Sequence, residues 1–266
     1  MRGGAQCHLV EAADGNCYVL KPRNNPQHRR VLVNEWLSSV FLRYLRVPVP
    51  ETAILDASPD LIAEYPDFSI HLGKSRVPVE SGWHFGSRYP GDPGRVAVFD
   101  FLPDAILREV SNLNDFLGAL VFDKWVANAD GRQAIFFRAN IRVPADDEPP
   151  APARPGFAAL FIDHGFAFGG PQWVFQDAPL AGISPARLVY HGVRGWADLE
   201  PWLEWVKHFP EETVDLALRQ IPDSWIEGEH DQLMTLCEKL MNRRKRVAAL
   251  IEDCRGERVN LFPNWR

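Results

Sequence analysis

The sequence predicts an α+β fold that is β-rich with one long helix in its first part and α-rich in its last part. The dipeptide Asp14-Gly15 separates two runs of alternating apolar residues, which indicates a β-hairpin near the start. Apolar residues then recur at helical spacing in NEWLSSVFLRYL. After residue 196, DLEPWLEWVKHF, ETVDLALRQI and DQLMTLCEKLMNRRKRVAALIEDC are all amphipathic at helical spacing, which predicts the α-rich part.

Length and composition are typical of a globular protein. The chain has 266 residues, of which 46% are hydrophobic and 24% charged, so one large domain or two joined lobes are expected. A net charge of -6 makes a nucleic-acid partner unlikely. The four cysteines show no C-x-x-C spacing, which argues against a zinc site. Because no long apolar run or secretory leader is visible, we expect a cytoplasmic protein that does not bind a membrane.

In the first hundred residues, the helix is expected directly after the hairpin. Asn25 reads as its N-cap and Pro26 as its first residue, and about twenty residues lead to an end before Pro48. ETAILDASPDLIAEYP predicts two short strands around a turn at residues 58–60. The stretch 67–94 is rich in glycine and proline, and we expect one strand in it near residues 83–88.

The middle of the chain predicts a buried helix followed by two strands. FLGALVFDKWVAN, residues 116–128, is apolar nearly all round, which is typical of a helix inside a domain. QAIFFRANIRV and GFAALFIDHGFAFGG are β-rich. PADDEPPAPARP between them holds five prolines in twelve residues, so we expect a mobile loop that joins a hairpin.

Lys21 is the first candidate for chemistry, because it ends the second strand of the opening hairpin. Gly3 and Gly4 would let the backbone before that hairpin approach an anion closely. Glu35 lies fourteen residues further on, inside the predicted helix, and would hold Lys21 by an ion pair if the helix packs on the hairpin. On spacing alone, a surface lysine and a solvated glutamate are the alternative.

Two aspartates end apolar segments and are expected to be buried. Asp130 follows the apolar helix and Asp163 ends an apolar strand. A buried, unpaired carboxylate costs several kcal/mol, so a cation should meet each, and a magnesium ion shared by both would do so. Alternatively, Asp130 belongs to an Asp-Gly turn and Asp163 to a local side-chain cap.

Two further features have competing interpretations. His164, beside Asp163, is either a general base or a side chain that packs and hydrogen-bonds locally. RRKR at residues 243–246 either binds an acidic partner or forms the solvated face of a helix. No Walker A, G-x-G-x-x-G, G-x-S-x-G or H-E-x-x-H motif is present in the sequence.

Four segments, in this order, resemble the HipA kinase family: GGAQCHL its phosphate loop, NEWLSSVFLRYLRVPVPETAIL its helix and following strand, FDKWVANADGRQ its catalytic loop, and FIDHG its metal-binding segment. The resemblance spans roughly residues 3–170. It implies a two-lobed protein-kinase-like fold, with residues 1–100 as a nucleotide-binding N-lobe. Residues 101–266 would form a C-lobe that holds the catalytic loop, the metal site and the C-terminal helices.

The resemblance also implies a set of site residues for Mg²⁺ and ATP. Asp130 would be the catalytic base, and the residues that contact the nucleotide or the metal would be Gly3, Gly4, Ala5, Gln6, Lys21, Glu35, Asp163 and Gln133. The adenine would lie near residues 88–89 or 99–101. The implied reaction moves the γ-phosphate of Mg-ATP to a hydroxyl, with Ser or Thr of a protein substrate as the acceptor.

Two positions depart from the family pattern. Ile135 stands where the family has a magnesium-binding asparagine, and Gln133 is the nearby amide that would replace it. Arg132 stands where the family has a histidine. These departures leave open a nucleotide-binding module without turnover, and FIDHG leaves open a small-molecule or lipid acceptor. An interaction protein without a nucleotide site is the remaining alternative.

Overall fold

The computed structural model describes residues 4–141 and 154–266. Before residue 90, its strands are β1 (His8–Glu11), β2 (Cys17–Lys21), β3 (Thr52–Ala57), β4 (Ser69–Leu72), β5 (Ser75–Pro78) and β6 (Gly82–Arg88). An antiparallel four-stranded sheet has the order β1-β2-β6-β3, and β4 and β5 form a separate hairpin. The opening hairpin and the strand near residues 83–88 are therefore confirmed.

The first helix, α1 (Arg30–Tyr44), is shorter than expected, because the predicted cap at Asn25 and Pro26 is wrong. The Asn25 side chain accepts a hydrogen bond from the Gln27 backbone at 2.9 Å and donates one to the Pro22 carbonyl at 2.9 Å. Asn25 thus closes a turn before the helix, a role that competes with capping for the same residue type. The helix ends before Pro48, as predicted.

The second of the two strands expected in ETAILDASPDLIAEYP is a helix, α2 (Pro59–Glu64). The Ser58 hydroxyl accepts a hydrogen bond from the Leu61 backbone at 3.2 Å, and Pro59 occupies the first helical position. Ser-Pro is both a turn signal and a helix-start signal, and here the second meaning holds.

The middle of the chain contains β7 (Val98–Phe99), α3 (Asp104–Leu107), α4 (Asp115–Val126), β8 (Gln133–Ile141) and β9 (Arg154–Ile162). β7, β8 and β9 form an antiparallel sheet in that order. Every residue of α4 after Asp115 is buried, as the apolar run predicted. The predicted proline-rich loop falls mainly on residues 144–153, outside the described residues.

The last part of the chain is helical, as predicted: α5 (Trp202–Lys207), α6 (Glu211–Leu218), α7 (Asp223–Ile226), α8 (His230–Arg243) and α9 (Val247–Arg255). One hydrophobic core joins α1, α4 and these helices. The Trp36 indole donates to the Ala217 carbonyl at 3.2 Å, and the Trp125 indole donates to the Leu240 carbonyl at 3.0 Å. Within the described residues, none of the helices has the length and apolar character needed to cross a membrane.

Candidate functional site

A cavity of about 380 Å³ lies between the first sheet and the β8–β9 pair. Its walls come from β2, β6, α1, β8 and β9 and from the residues before β1. This volume lies in the range of small-molecule sites, which commonly measure about 300–1,000 Å³. Residues 87–90, Val98 and Asp100 also line the cavity, so both positions expected for the adenine reach it.

Lys21 lies on the cavity wall and joins two carboxylates. Its side chain is 10% exposed, and its ammonium donates to Asp163 Oδ1 at 2.7 Å and to Glu35 Oε1. Burial would lower the pKa of Lys21, but the carboxylates of Glu35 and Asp163 outweigh it and raise the pKa above its usual value. The ammonium is therefore charged, and the alternative of a solvated surface lysine is wrong.

Glu35 is held in the interior by α1. It lies in the second turn of that helix and is 2% exposed. Burial raises the pKa of Glu35, while Lys21 and a hydrogen bond from the His164 backbone oppose the rise. The predicted packing of α1 against the hairpin thus brings Glu35 to Lys21.

Asp163 follows β9 directly and has a left-handed backbone, with φ of +58°. Its carboxylate is partly exposed, at 38%, and each oxygen has one partner: Lys21 on Oδ1, and the Gln133 amide on Oδ2 at 3.0 Å. Burial pushes the pKa of Asp163 upward, but Lys21 outweighs it and the net shift is downward. Asp163 and Gln133, both predicted metal ligands, therefore lie side by side.

Asp130 differs from the expectation, because it is exposed. Its Oδ1 accepts a hydrogen bond from the Gly131 backbone at 2.7 Å, as in an Asp-Gly turn. Its backbone carbonyl accepts one from Gly182 at 2.9 Å. Asp130 is not among the residues that line the cavity with Asp163. Burial, the reason for expecting a cation at Asp130, is thus absent, and its catalytic role stays a prediction.

The residues before β1 form one edge of the cavity. Gly4 and Ala5 line it, whereas the expected Gly3 lies outside the described residues. The Gln6 side chain pairs with the backbone of His71 on β4, donating at 2.7 Å and accepting at 2.6 Å. Its amide therefore ties this segment to the β4–β5 hairpin and does not extend into the cavity.

Gln27 and Cys7 are among the lining residues that sequence reasoning missed. Gln27 lies against Gly4, where an added Cβ would be 2.3 Å from the Gln27 amide nitrogen. Cys7 lines the cavity beside Lys21, and burial raises the pKa of its thiol to about 11. Gln27 belongs to no motif, and Cys7 lies in the GGAQCHL segment without an assigned role, so the folded chain identifies both.

The catalytic-loop segment contains a buried ion pair between Arg132 and Asp123. Both side chains are at most 1% exposed, and Arg132 Nε donates to Asp123 Oδ2 at 2.7 Å. The same guanidinium donates to the Ile162 carbonyl at 3.2 Å and contacts His164 Nδ1 at 2.8 Å. Burial lowers the pKa of His164 well below its usual value, and the buried ring with its contact to Arg132 agrees with the interpretation of local packing.

Asn34 is a further missed residue, and its side chain connects the segment after Asp163 to α1. It is fully buried, and its amide nitrogen donates to the carbonyls of Gly165 at 2.7 Å and Ala167 at 3.0 Å. Its amide oxygen accepts from the Trp173 indole at 2.8 Å. Asn34 thus positions the backbone of the segment that follows Asp163.

The RRKR segment is largely structural. Arg243 is buried, donates to the Trp125 carbonyl at 2.8 Å and pairs with Asp177 at 2.5 Å. Arg246 pairs with the same carboxylate at 2.8 Å, and Arg244 donates to the Met241 carbonyl at 2.8 Å. The partners of these three arginines are therefore groups of the protein itself.

Ile135, the departure from the family asparagine, also lines the cavity. It lies on β8 opposite Leu160 of β9, two residues after Gln133. An aliphatic side chain has no atom that can bind Mg²⁺. Ile135 therefore cannot replace the family asparagine as a metal ligand. Gln133, which lies beside Asp163, has an amide oxygen that could.

Comparison with known proteins places these features in a family. The model of the HipA-like kinase family matches residues 1–169. A crystal structure of the Golgi casein kinase matches with 14% identity and a TM-score of 0.52, covering 97% of this chain and 72% of that one. A Golgi casein kinase structure with Mn/ADP bound matches with 16% identity, a TM-score of 0.51 and the same coverage. The search of curated proteins found no match. The chain therefore belongs to the HipA-like kinase family and is a kinase-type phosphotransferase with a protein-kinase-like fold.

Proposed function

We propose that this kinase moves the γ-phosphate of Mg-ATP to the hydroxyl of a serine or threonine on a protein. The observation that carries the proposal is the ammonium of Lys21, shared between Glu35 and Asp163 on the wall of the cavity. On this proposal, residues 1–100 form the nucleotide-binding lobe and residues 101–266 the lobe that holds the catalytic loop and the metal site.

The nucleotide phosphates would lie between Lys21 and the segment before β1. Lys21 carries a positive charge in a half-enclosed site, where an ion pair is much less screened than in water. Gly4 and Ala5 bring backbone to the same cavity. Glu35 keeps the Lys21 side chain in place, so little order has to be gained when the nucleotide binds.

Asp163 and Gln133 have the chemistry of a magnesium site. Mg²⁺ prefers oxygen ligands and usually takes one or two from the protein and others from phosphates and water. The amide nitrogen of Gln133 donates a hydrogen bond to Asp163 Oδ2 at 3.0 Å. A 180° rotation of that amide group would place its oxygen where the nitrogen lies, beside Asp163. When bound, the metal would neutralise the charge on the β- and γ-phosphates.

Asp130 would orient the acceptor hydroxyl and take its proton. Its backbone is fixed by Gly182 and by the Asn128 side chain, while its carboxylate faces solvent, from which a substrate arrives. The hydroxyl oxygen forms a bond to the γ-phosphorus, the bond from that phosphorus to the β–γ bridging oxygen breaks, and ADP leaves. The proton of the hydroxyl passes to Asp130.

The experiment is transfer of labelled γ-phosphate to the protein itself and to generic protein substrates. Lys21→Met and Asp130→Asn should each lower the rate at least about 100-fold, the usual worth of charge stabilisation or general-base catalysis. Lys74→Met is the matched control, because Lys74 is an exposed lysine on the β4–β5 turn. Wild-type activity in Asp130→Asn would refute the role of Asp130. Nucleotide binding without transfer would instead favour a module that signals by binding.

A further inference from the structure

We propose that Arg132 is a positioning residue for Asp163, an inference that rests on the proposed function. Arg132 follows Asp130 by two residues and is 1% exposed. Its guanidinium is anchored on one side by Asp123, through Nε at 2.7 Å and through Nη2. The Asn128 side chain donates to the same carboxylate at 3.0 Å, so the anchor is itself fixed.

The other side of the guanidinium holds both neighbours of Asp163. Arg132 Nη1 donates to the Ile162 carbonyl at 3.2 Å and lies 2.8 Å from His164 Nδ1. The neutral His164 ring accepts this bond, because an arginine nitrogen can only donate. One nitrogen atom thus contacts the residue before Asp163 and the residue after it.

This contact matters because Asp163 has a conformation that aspartate adopts at a cost. Its φ of +58° lies in the left-handed region, which costs a non-glycine residue roughly 1–3 kcal/mol unless its surroundings impose it. Lys21 and Gln133 hold the carboxylate, and Arg132 holds the backbone carbonyl of the residue before Asp163 and the ring of the residue after it. The direction of the proposed metal-binding carboxylate therefore depends on the arginine.

A lysine could keep the charge at this position but not the geometry. The planar guanidinium directs Nε and Nη2 at Asp123 and Nη1 at the β9 end, in fixed directions. A single ammonium on a flexible chain would follow Asp123 and release the Ile162 and His164 contacts. Arg132→Lys therefore separates the positioning role from the ion pair.

The experiment measures metal-dependent binding of a fluorescent ATP analogue to the whole chain, with Mn²⁺ as the metal. In Arg132→Lys, the apparent affinity for Mn²⁺ should fall about 10- to 100-fold, the usual effect of a group that orients a metal ligand, while the affinity for the analogue at saturating Mn²⁺ stays unchanged. Arg243→Lys is the matched control, since Arg243 is a second buried arginine paired with an aspartate. It should lower the melting temperature and leave the Mn²⁺ affinity unchanged.

A second variant and a second measurement keep the test decisive. The double variant Arg132→Gln/Asp123→Asn removes both charges of the ion pair together. It replaces Arg132→Lys in the experiment if that variant does not fold, and it should show the same loss of Mn²⁺ affinity. Wild-type Mn²⁺ affinity in the folded variant would overturn the positioning role. If the wild-type chain binds no nucleotide, the proposed function fails, and a crystal structure of the variant decides the present inference. In the crystal structure of the variant, the backbone of Asp163 should lie outside the left-handed region. An unchanged φ would overturn the positioning role of Arg132.

Discussion

Gly182→Ala provides a sharp test of the packing behind the catalytic-loop segment. Gly182 is buried, has φ of +74° and donates its N–H to the Asp130 carbonyl at 2.9 Å. A Cβ added there would lie 2.7 Å from the Cβ of Asp123 and 3.4 Å from the Cβ of Asn128. These atoms are bonded directly to their backbones, so no flexible side chain can move aside.

The expected loss of stability has two parts. Holding alanine in the left-handed region costs about 1–2 kcal/mol. Forcing an extra carbon against Asp123 costs about 1–3 kcal/mol, as overpacked interiors do. A single small backbone shift can relieve part of both contributions, so the total is less than their sum. We therefore expect Gly182→Ala to lower the free energy of unfolding by about 2–4 kcal/mol.

Urea denaturation of three variants separates these two parts. At Gly228, φ is +83° and no atom of the described residues lies within 4 Å of an added Cβ, so Gly228→Ala should cost only the backbone part, about 1–2 kcal/mol. At Gly192, φ lies outside the left-handed region and the space is again open, so Gly192→Ala should change the unfolding free energy by less than about 0.5 kcal/mol. Equal losses at Gly182 and Gly228 would refute the proposed contact with Asp123.

Three further predictions test other parts of the fold. Because the pKa of Cys7 is about 11, the rate at which its thiol is alkylated should keep rising up to pH 10. The rate should fall when ATP fills the cavity that Cys7 lines. Site-resolved mass spectrometry measures both rates, and an absence of any ATP effect would contradict the position of Cys7 on the cavity wall. Burial lowers the pKa of His84 in the folded protein to about 4. Between pH 6.5 and 4 the unfolded chain therefore binds more protons at His84 than the folded protein does. The free energy of unfolding should fall by about 3 kcal/mol as the pH falls through that window. Denaturation at several pH values should show a flatter decline in His84→Asn and an unchanged one in the exposed control His208→Asn. Asn34→Ala should cost about 3 kcal/mol in the same assay, because it leaves the buried Trp173 indole and carbonyls of the same segment without their partner, and a loss below 1 kcal/mol would contradict this.

The sequence predicted those elements whose local signals agree with one another. The hairpin at Asp14-Gly15, the apolar helix α4 and the amphipathic C-terminal helices are all found. The errors lie where one residue type serves two purposes. Asn25 closes a turn where a helix cap was expected, and Ser58 caps a helix where a turn between strands was expected. Tertiary packing decides between such meanings, and a local pattern does not contain it.

For the site, the spacing predicted the contacts that depend on order along the chain. Lys21 at a strand end and Glu35 in the next helix meet because the helix packs back on the sheet. The exposure of Asp130 was not predictable from its neighbours, because an apolar run precedes it and the chain becomes exposed only after Asn128. Arg132 was seen only as a departure from the family, because its partners Asp123 and Ile162 are brought to it by folding.

If the proposed function holds, the charges at the cavity require the nucleotide to arrive with a metal. Lys21 carries one positive charge, and Glu35 and Asp163 carry one negative charge each when ionised, so the trio has a net charge of about -1. The phosphates of metal-free ATP would add further negative charge next to Asp163, in a half-enclosed site where repulsion is poorly screened. A divalent cation between Asp163 and the phosphates changes that repulsion into attraction, and it leaves Lys21 paired with Glu35 and free to meet a phosphate oxygen. The pKa of Asp163 agrees with this arrangement, because Lys21 outweighs the burial that would raise it, and the carboxylate stays in the ionised form that a metal would bind.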